Sequence, residues 1–527
     1  MTVETDIEAA VAGRTLLDAF DDTVAKHGDV VAYTWRADGE WQSLTWRDLR
    51  TEVEAATLGL LEFGVARGAM VGVLMSNRPE LAVADLALLH VGAVPVCLFD
   101  SFTDDQLATV VTSLGIDTVI VDGTAELDRL PAVAHRITAE DWPGIVAAGR
   151  ERAARDDGGF DASRRAVRPD DLVSVNYTSG TTGALKGVRH THHNVLWHAE
   201  SFSRFLPMSP GARYLSYLSR AHATERFVTT WFPLVTAGTV HLCPDPARLP
   251  HYLREVRPEF FGGVLRVWES LYAAVVGLPD QQSVPALLGL DACRFAFSGG
   301  GALAVRVQDY FNGLGVPLAE GWGQSELVSA ATCGRPGEIR TGTVGPPLPG
   351  VAVRAAQDGE LLVRSGSRMA GYAGVVTEQA STVDTEGWVH TGDLGWVDED
   401  GFVHVHGRRQ EVFRLSDGYV VATTRVESQL RANVVVDNAC VVGGDELCAL
   451  LVVADASADE VLAAVREANG HLGERDRIAR FTVLPGRWEL GRAEELTHSG
   501  KIKRSLVATK YADVIAALLA GGGTAVD

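Results

Sequence analysis

The stretch from Asn176 to Val188, Asn-Tyr-Thr-Ser-Gly-Thr-Thr-Gly-Ala-Leu-Lys-Gly-Val, constrains this chain more than any other. It gathers four Ser/Thr hydroxyls, three glycines and one lysine. Leu172, Val173, Val175 and Tyr177, just before or at its start, read as the end of a buried strand. Glycine lets the backbone turn with positive φ and aim successive N–H groups at one small volume, and the hydroxyls add donors to it. Such a cradle suits a polyphosphate.

Other chemistries share part of this composition. A flexible Gly/Ser/Thr linker does, but a linker rarely follows a buried strand or holds a lysine in place. A nucleotide-triphosphatase P-loop needs Gly-Lys-Ser/Thr, whereas here Leu185 precedes Lys186 and Gly187 follows it.

At 527 residues the chain exceeds what one hydrophobic core usually supports, so two or more domains are expected. A formal charge of -21 opposes non-specific binding to nucleic acid or an anionic membrane, so an anionic ligand needs a local site. The acidic N-terminus lacks the basic and apolar regions of a signal peptide, which points to the cytoplasm. Pro95, His90 and Asp85 interrupt the longest apolar run, so no membrane span is expected. The six cysteines are scattered without a Cys-x-x-Cys pair, which fits reduced thiols and no structural zinc.

Periodicity suggests an α/β protein. Thr15 reads as the cap of a helix ending near Gly28, with Leu17, Phe20 and Val24 on one face. Strand, helix and strand follow over Met70 to Leu74, Pro79 to His90 and Val94 to Leu98, and Thr118 to Val121 adds another apolar run. Residues 147–170 show little periodicity and read as a surface excursion. Asn194 is a plausible cap for the helix bearing Val195, Ala199, Phe202 and Leu206. For His190, His192 and His193, before that helix, local hydrogen bonding is preferred to a metal site. A strand, turn and strand lie over Trp396 to His406, with the turn at Asp398 to Gly401. Further on, Leu447 to Val453 and Phe481 to Leu484 read as strands, and Ser457 with Glu460 as a capping box.

Several further motifs follow the hydroxyl-rich stretch. They are Leu215-Ser-Tyr-Leu-Ser-Arg-Ala-His-Ala-Thr-Glu-Arg226, Gly262-Gly-Val-Leu-Arg-Val-Trp-Glu269 and Ser298-Gly-Gly-Gly-Ala-Leu303. Then come Glu320-Gly-Trp-Gly-Gln-Ser-Glu326, His390-Thr-Gly-Asp-Leu-Gly395, Gly407-Arg-Arg-Gln-Glu411 and Leu496-Thr-His-Ser-Gly-Lys-Ile-Lys-Arg504. Singly each has a bland reading: a tight turn, a core aromatic or a solvated basic cluster. In this order over nearly the whole chain they resemble the adenylate-forming superfamily of acyl-CoA synthetases, luciferases and peptide-synthetase adenylation domains, and most of all the fatty-acid-CoA ligases.

The resemblance implies a large N-terminal domain over 1–407, with parallel and mixed sheets flanked by helices, and a small mobile α+β domain over 408–527. It implies that Thr178, Ser179, Gly180, Thr181, Thr182 and Gly183 hold the phosphates of ATP, with Lys186 nearby. Gly299, Gly300, Gly301, Gly321, Trp322 and Gly323 would form the adenine site. There an aromatic ring can stack on the base, while Ser325 can donate to a phosphate oxygen. Glu326, with Thr178, would bind Mg2+. Asp393 and Arg408 would take the ribose. His222, Arg220 and Gly301 would wall the acid pocket, and Lys501, Glu326 and His222 would be catalytic.

Some positions depart from the family pattern. Leu185 stands where proline is usual, Ser219 and Arg220 replace proline and an apolar residue, and Gln410 takes the hinge place of Asp or Lys. Trp322 and Ser325 stand for the usual Tyr and Thr. Ser298 follows soon after Glu269, so a long acyl tunnel is not expected.

The implied function is ATP-dependent activation of a small or medium carboxylic acid as its acyl-AMP, followed by transfer to an acceptor. CoA, a pantetheine carrier or an amine are the acceptors the resemblance allows, and no motif specifies CoA. Two alternatives stay open: activation of nitrite to diazotise an aromatic amine in natural-product biosynthesis, and a non-catalytic nucleotide-binding regulator.

Overall fold

A computed structural model describes residues 2–155, 158–179, 185–373, 382–415, 418–444, 446–489, 494–496 and 502–526, with Ser179 described in its backbone alone. Two sheets built largely of parallel strands dominate its first three-fifths. The larger has eight strands, in spatial order Ala330–Cys333, Leu318–Gly323, Phe295–Gly299, Phe260–Val264, Arg213–Ser216, Thr239–Leu242, Val31–Ala37 and Glu40–Thr45. Its inner pairs are parallel and its two edge pairs antiparallel. The smaller is wholly parallel, in the order Val94–Cys97, Met70–Leu74, Thr118–Val121 and His135–Thr138. Parallel sheets need both faces covered, and the inner strands Met70–Leu74 and Thr118–Val121 of the smaller sheet are accordingly mostly apolar and buried.

Between them lies a small antiparallel sheet of Tyr372–Ala373, Leu185–Thr191 and Leu172–Ser179. The two described ends of the hydroxyl-rich stretch thus lie on paired antiparallel strands, with Thr178 on the first and Lys186 on the second. A four-stranded antiparallel sheet follows, Ala352–Ala355, Glu360–Arg364, Val389–Val397 and Val403–Arg408. Its last two strands are longer than the alternation suggests and flank the turn at Asp398 to Gly401. Beyond residue 408 come a mixed sheet of Val436–Gly443, Leu447–Val453, Ile478–Val483 and Thr524–Ala525, and helices Thr423–Arg431, Ala458–Gly470, Arg504–Lys510 and Ala512–Leu519. This part has apolar clusters of its own, one around Val426, Leu451 and Phe481 and another around Leu450, Trp488 and Val507.

Several local expectations are met at residue level. Thr15 caps the helix Leu16–His27 in a capping box with Asp18, and Ser457 with Glu460 does the same for Ala458–Gly470. Two need correction. Residues 147–170 are not an excursion: helices Trp142–Ala153 and Gly159–Ala166 occupy most of the segment. Asn194 is not the cap of its helix. Thr191 accepts from the Asn194 backbone N–H, and Asn194 returns its side chain to the Thr191 N–H at 2.8 Å. Among the described residues no helix is long and apolar enough to cross a membrane.

Candidate active site

In open α/β sheets, ligands gather beyond the carboxyl ends of parallel strands. Gly299, Gly300 and Gly301 sit at and just after the end of Phe295–Gly299, and Gly321, Trp322 and Gly323 close the neighbouring strand Leu318–Gly323. Gly323 is required by space: a Cβ there would lie 2.0 Å from the Ser329 carbonyl oxygen. The short helix Ser325–Leu327 then presents Glu326, and Val328 follows at φ 69, an uncommon conformation for a β-branched residue.

Thr178 and Lys186 are directly opposed on their paired strands, so their side chains share one face. The Lys186 ammonium lies 5.6 Å from the centroid of the Tyr372 ring, and the Tyr372 hydroxyl donates to Glu326 Oε1 at 2.7 Å. Burial beside the Glu326 carboxylate raises the Tyr372 phenol, which keeps it a donor. Tyr372 therefore joins the lysine of the hydroxyl-rich stretch to the acidic residue of the Glu-Gly-Trp-Gly-Gln-Ser-Glu motif. Its signal in the sequence was too short to find: Gly371-Tyr372 next to undistinguished neighbours.

A second group stands on the antiparallel sheet. Asp393 and Arg408 are cross-strand partners, with Arg408 Nε 3.1 Å from Asp393 Oδ1. Arg408 Nη1 also donates to the Thr391 carbonyl at 2.7 Å, and Thr391 Oγ1 accepts from the Asp393 N–H at 3.1 Å. The Trp322 indole N–H donates to Asp393 Oδ2 at 2.7 Å, which ties this sheet to the end of the large one.

Behind these paired strands lies a buried chain of polar contacts. Arg226 pairs with Asp85, both essentially inaccessible, and donates to Ser174 Oγ at 3.0 Å. Ser174 donates to Asn176 Oδ1 at 2.6 Å, and Asn176 Nδ2 to the Ala221 carbonyl at 3.2 Å. The turn bearing Arg220 and His222 is thereby fastened to the strand bearing Thr178. His222 is partly exposed and precedes the short helix Ala223–Arg226, which runs into a π-helix over Phe227–Trp231. Such π-turns are frequent at functional sites. Arg220 is 2% exposed, its guanidinium carbon lies 5.7 Å from the Tyr33 ring centroid, and its nitrogens make no close hydrogen bond, its polar neighbours being the Tyr33 phenol and the Glu225 carboxylate. Glu225 nearby accepts from Ser216 and Thr229 hydroxyls at 2.9 and 3.2 Å, and burial pushes its carboxyl up to about 7.

The three neighbouring histidines face different partners. His192 Nδ1 accepts from Leu16 N–H at 3.2 Å, His193 Nε2 lies 2.9 Å from Glu8, and His190 Nδ1 accepts from Asn194 at 3.3 Å. Burial drives His190 down to about 3 and His192 to about 4. Gly180, Thr181, Thr182, Gly183, the side chain of Ser179, and Lys501 lie outside the described residues.

The fold is of the α/β class with two polar groups beyond its strand ends, and comparison with known proteins gives its family. Residues 20–373 match the family described as AMP-binding enzyme. A long-chain fatty-acid-CoA ligase of Mycobacterium bovis is 30% identical, over 93% of this chain and 94% of its own. One from Gallus gallus is 24% identical, over 97% and 82%. Among solved structures, the anthranilate-CoA ligase AuaEII with anthranoyl-AMP aligns with TM-score 0.77 at 19% identity, covering 94% of this chain and 97% of that one. The o-succinylbenzoate-CoA synthetase of Bacillus subtilis with ATP and magnesium aligns with TM-score 0.73 at 21% identity, covering 92% and 98%.

The chain belongs to the AMP-binding enzyme family. It is an ATP-dependent, adenylate-forming ligase of the acyl-CoA synthetase type.

Proposed function

We propose that this enzyme activates a small or medium carboxylic acid as its acyl-AMP and passes the acyl group to a thiol acceptor such as CoA. The observation that carries this reading is the pairing of two polar groups at the strand ends: Thr178, Lys186, Tyr372 and Glu326 on one side, and Trp322, Asp393 and Arg408 on the other. The first suits a triphosphate and the second a nucleoside.

A carboxylate is a poor electrophile. In the proposed reaction its oxygen attacks the α-phosphorus, the bond to the bridging oxygen breaks, and pyrophosphate leaves. The thiolate then attacks the acyl carbon and AMP leaves. No protein nucleophile takes part, so the side chains act by positioning and by stabilising charge. Lys186, with the hydroxyls and backbone of 178–183, orients the β- and γ-phosphates, and Asp393 with Arg408 fixes the ribose. Lys501 meets the attacking oxygen and the α-phosphate.

A magnesium ion fits Glu326: Tyr372 holds one of its oxygens, and among the described residues no cluster of ligating side chains forms a protein-built cage, which suits a metal shared with phosphate oxygens. Bound there, it would neutralise charge on the triphosphate. We assign residues 1–407 and 408–527 to two domains, supported by the separate apolar clusters of the second. Small substrate size is supported by the short connection between Glu269 and Ser298.

A second reading is favoured by Arg220. A buried guanidinium with no close hydrogen bond to a carboxylate suits a compact oxyanion, and nitrite would react in the same way, giving a mixed anhydride with AMP that an arylamine attacks at nitrogen.

The test is ATP-dependent release of pyrophosphate and AMP by purified protein with short and medium fatty acids, aryl acids, dicarboxylic acids and nitrite. CoA or an arylamine is then added separately. Turnover with a carboxylic acid and a thioester on adding CoA is expected. Turnover with nitrite alone moves the assignment to the second reading, and ATP binding with no turnover moves it to a regulator.

A further inference from the structure

Trp322 bears the residue type that stacks on a purine, and in the plane of the same ring it carries an indole N–H. It is 9% exposed and packs among Leu327, Val344, Leu361 and Val389, in a cluster shared with the antiparallel sheet. That N–H lies 2.7 Å from Asp393 Oδ2. The other carboxylate oxygen, Oδ1, faces Arg408 Nε at 3.1 Å. Asp393 is 6% exposed, and its own N–H is bonded to Thr391 Oγ1, which in turn donates to the Leu361 carbonyl at 2.6 Å. One oxygen is thus held by the indole donor and the other by the ion pair with Arg408, on different strands, which orients the carboxylate. A carboxylate oxygen has two lone-pair sites, so each retains one acceptor direction.

We propose that Trp322 is a positioning residue that fixes the Asp393 carboxylate through its indole N–H, so that the remaining acceptor sites of Asp393 receive the ribose 2′- and 3′-hydroxyls of the nucleotide. This rests on the nucleotide reading given above. A buried indole N–H needs an acceptor for stability alone. The positioning role adds that the bond carries ribose recognition, which packing by itself does not.

The experiment is calorimetric binding of ATP, 2′-deoxy-ATP and 3′-deoxy-ATP, without acid substrate, to the unaltered protein, Trp322→Phe, Asp393→Asn and the double variant. The unaltered protein is expected to prefer ATP over the deoxy analogues by about tenfold, the scale of one hydrogen bond to a charged group. Trp322→Phe lowers that preference several-fold while binding the deoxy analogues nearly as before. Asp393→Asn lowers it at least as far, and the double variant is no worse than Asp393→Asn. Equal weakening of ATP and both analogues in Trp322→Phe, or effects that multiply in the double variant, would overturn the proposal. Should Trp322→Phe not fold, Trp322→His keeps a ring N–H donor: a retained preference supports the role, and its loss overturns it. Absence of ATP binding by the unaltered protein would instead refute the nucleotide reading, and this inference with it.

Discussion

Tyr372 offers the sharpest test of how the phosphate side is assembled, because one atom can be removed with little else disturbed. In Tyr372→Phe the ring remains beside the Lys186 ammonium, and the hydroxyl that donates to Glu326 Oε1 at 2.7 Å is lost. Tyr372 is 4% exposed, so a charged acceptor loses a well-shielded donor. Hydrogen bonds to charged groups contribute about 1.5–3 kcal/mol. Glu326 is itself only partly buried, and water can replace part of the loss, which places the effect at the lower end. About 1.5 kcal/mol corresponds to roughly a tenfold fall in kcat/KM for ATP in pyrophosphate exchange. The fall should shrink as magnesium is raised, because a freer Glu326 needs more metal to be occupied. Tyr372→Leu removes the ring as well and should lose a further factor of about two to ten from the cation-π contact. A Tyr372→Phe enzyme with unchanged rate and unchanged magnesium dependence would refute the claim that this hydroxyl orders Glu326.

Lys501→Ala should slow acyl-AMP formation in a single turnover by about a hundredfold or more, the scale of losing one donor to developing charge. ATP affinity should change little, and equal loss of both would count against a role in the first step. Glu225 is raised to about 7 by burial, so the folded protein binds a proton that the unfolded chain has released at intermediate pH, and stability is lost as pH rises from about 4.5 to about 7. The full effect is about 3 kcal/mol, so denaturant midpoints of Glu225→Gln relative to the unaltered protein should rise across that window; a flat difference would refute the shift. Arg220→Met should leave stability unchanged or improved, because a buried guanidinium that makes no close hydrogen bond is replaced by apolar volume, while turnover of an anionic small substrate falls more than tenfold. Marked destabilisation would make Arg220 a structural countercharge to Glu225.

What the sequence made readable was set by how local each cause is. Glycines, hydroxyls and a lysine at fixed offsets act within one turn of chain, so the stretch at Asn176 to Val188 and the turn at Ser298 to Gly301 were legible as sites, though the strand pairing at the ends of the first was not. Capping boxes at Thr15 and Ser457 are local in the same way. The Trp322 to Asp393 bond spans 71 residues and the Tyr372 to Glu326 bond 46, so neither could follow from spacing.

The segment at 147–170 failed for a related reason. Its first helix has little amphipathic pattern and a mid-helix glycine, yet Gly149 is where that helix meets Trp46–Phe63: a Cβ there would lie 1.7 Å from the Ala55 carbonyl oxygen, and one at Gly59 would lie 2.0 Å from that of Ile145. Two glycines set the approach of the two backbones, and the helix is stabilised by that contact rather than by propensity. Read alone, glycine argues against a helix; read with its partner, it is the reason the helix packs. Trp322 shows a related effect: its residue type suggests stacking on a base, and the tertiary structure adds an N–H bond to Asp393 that the type alone does not announce. A residue type reports what a side chain is able to do, and its partner, fixed only by tertiary structure, selects which of those things it does.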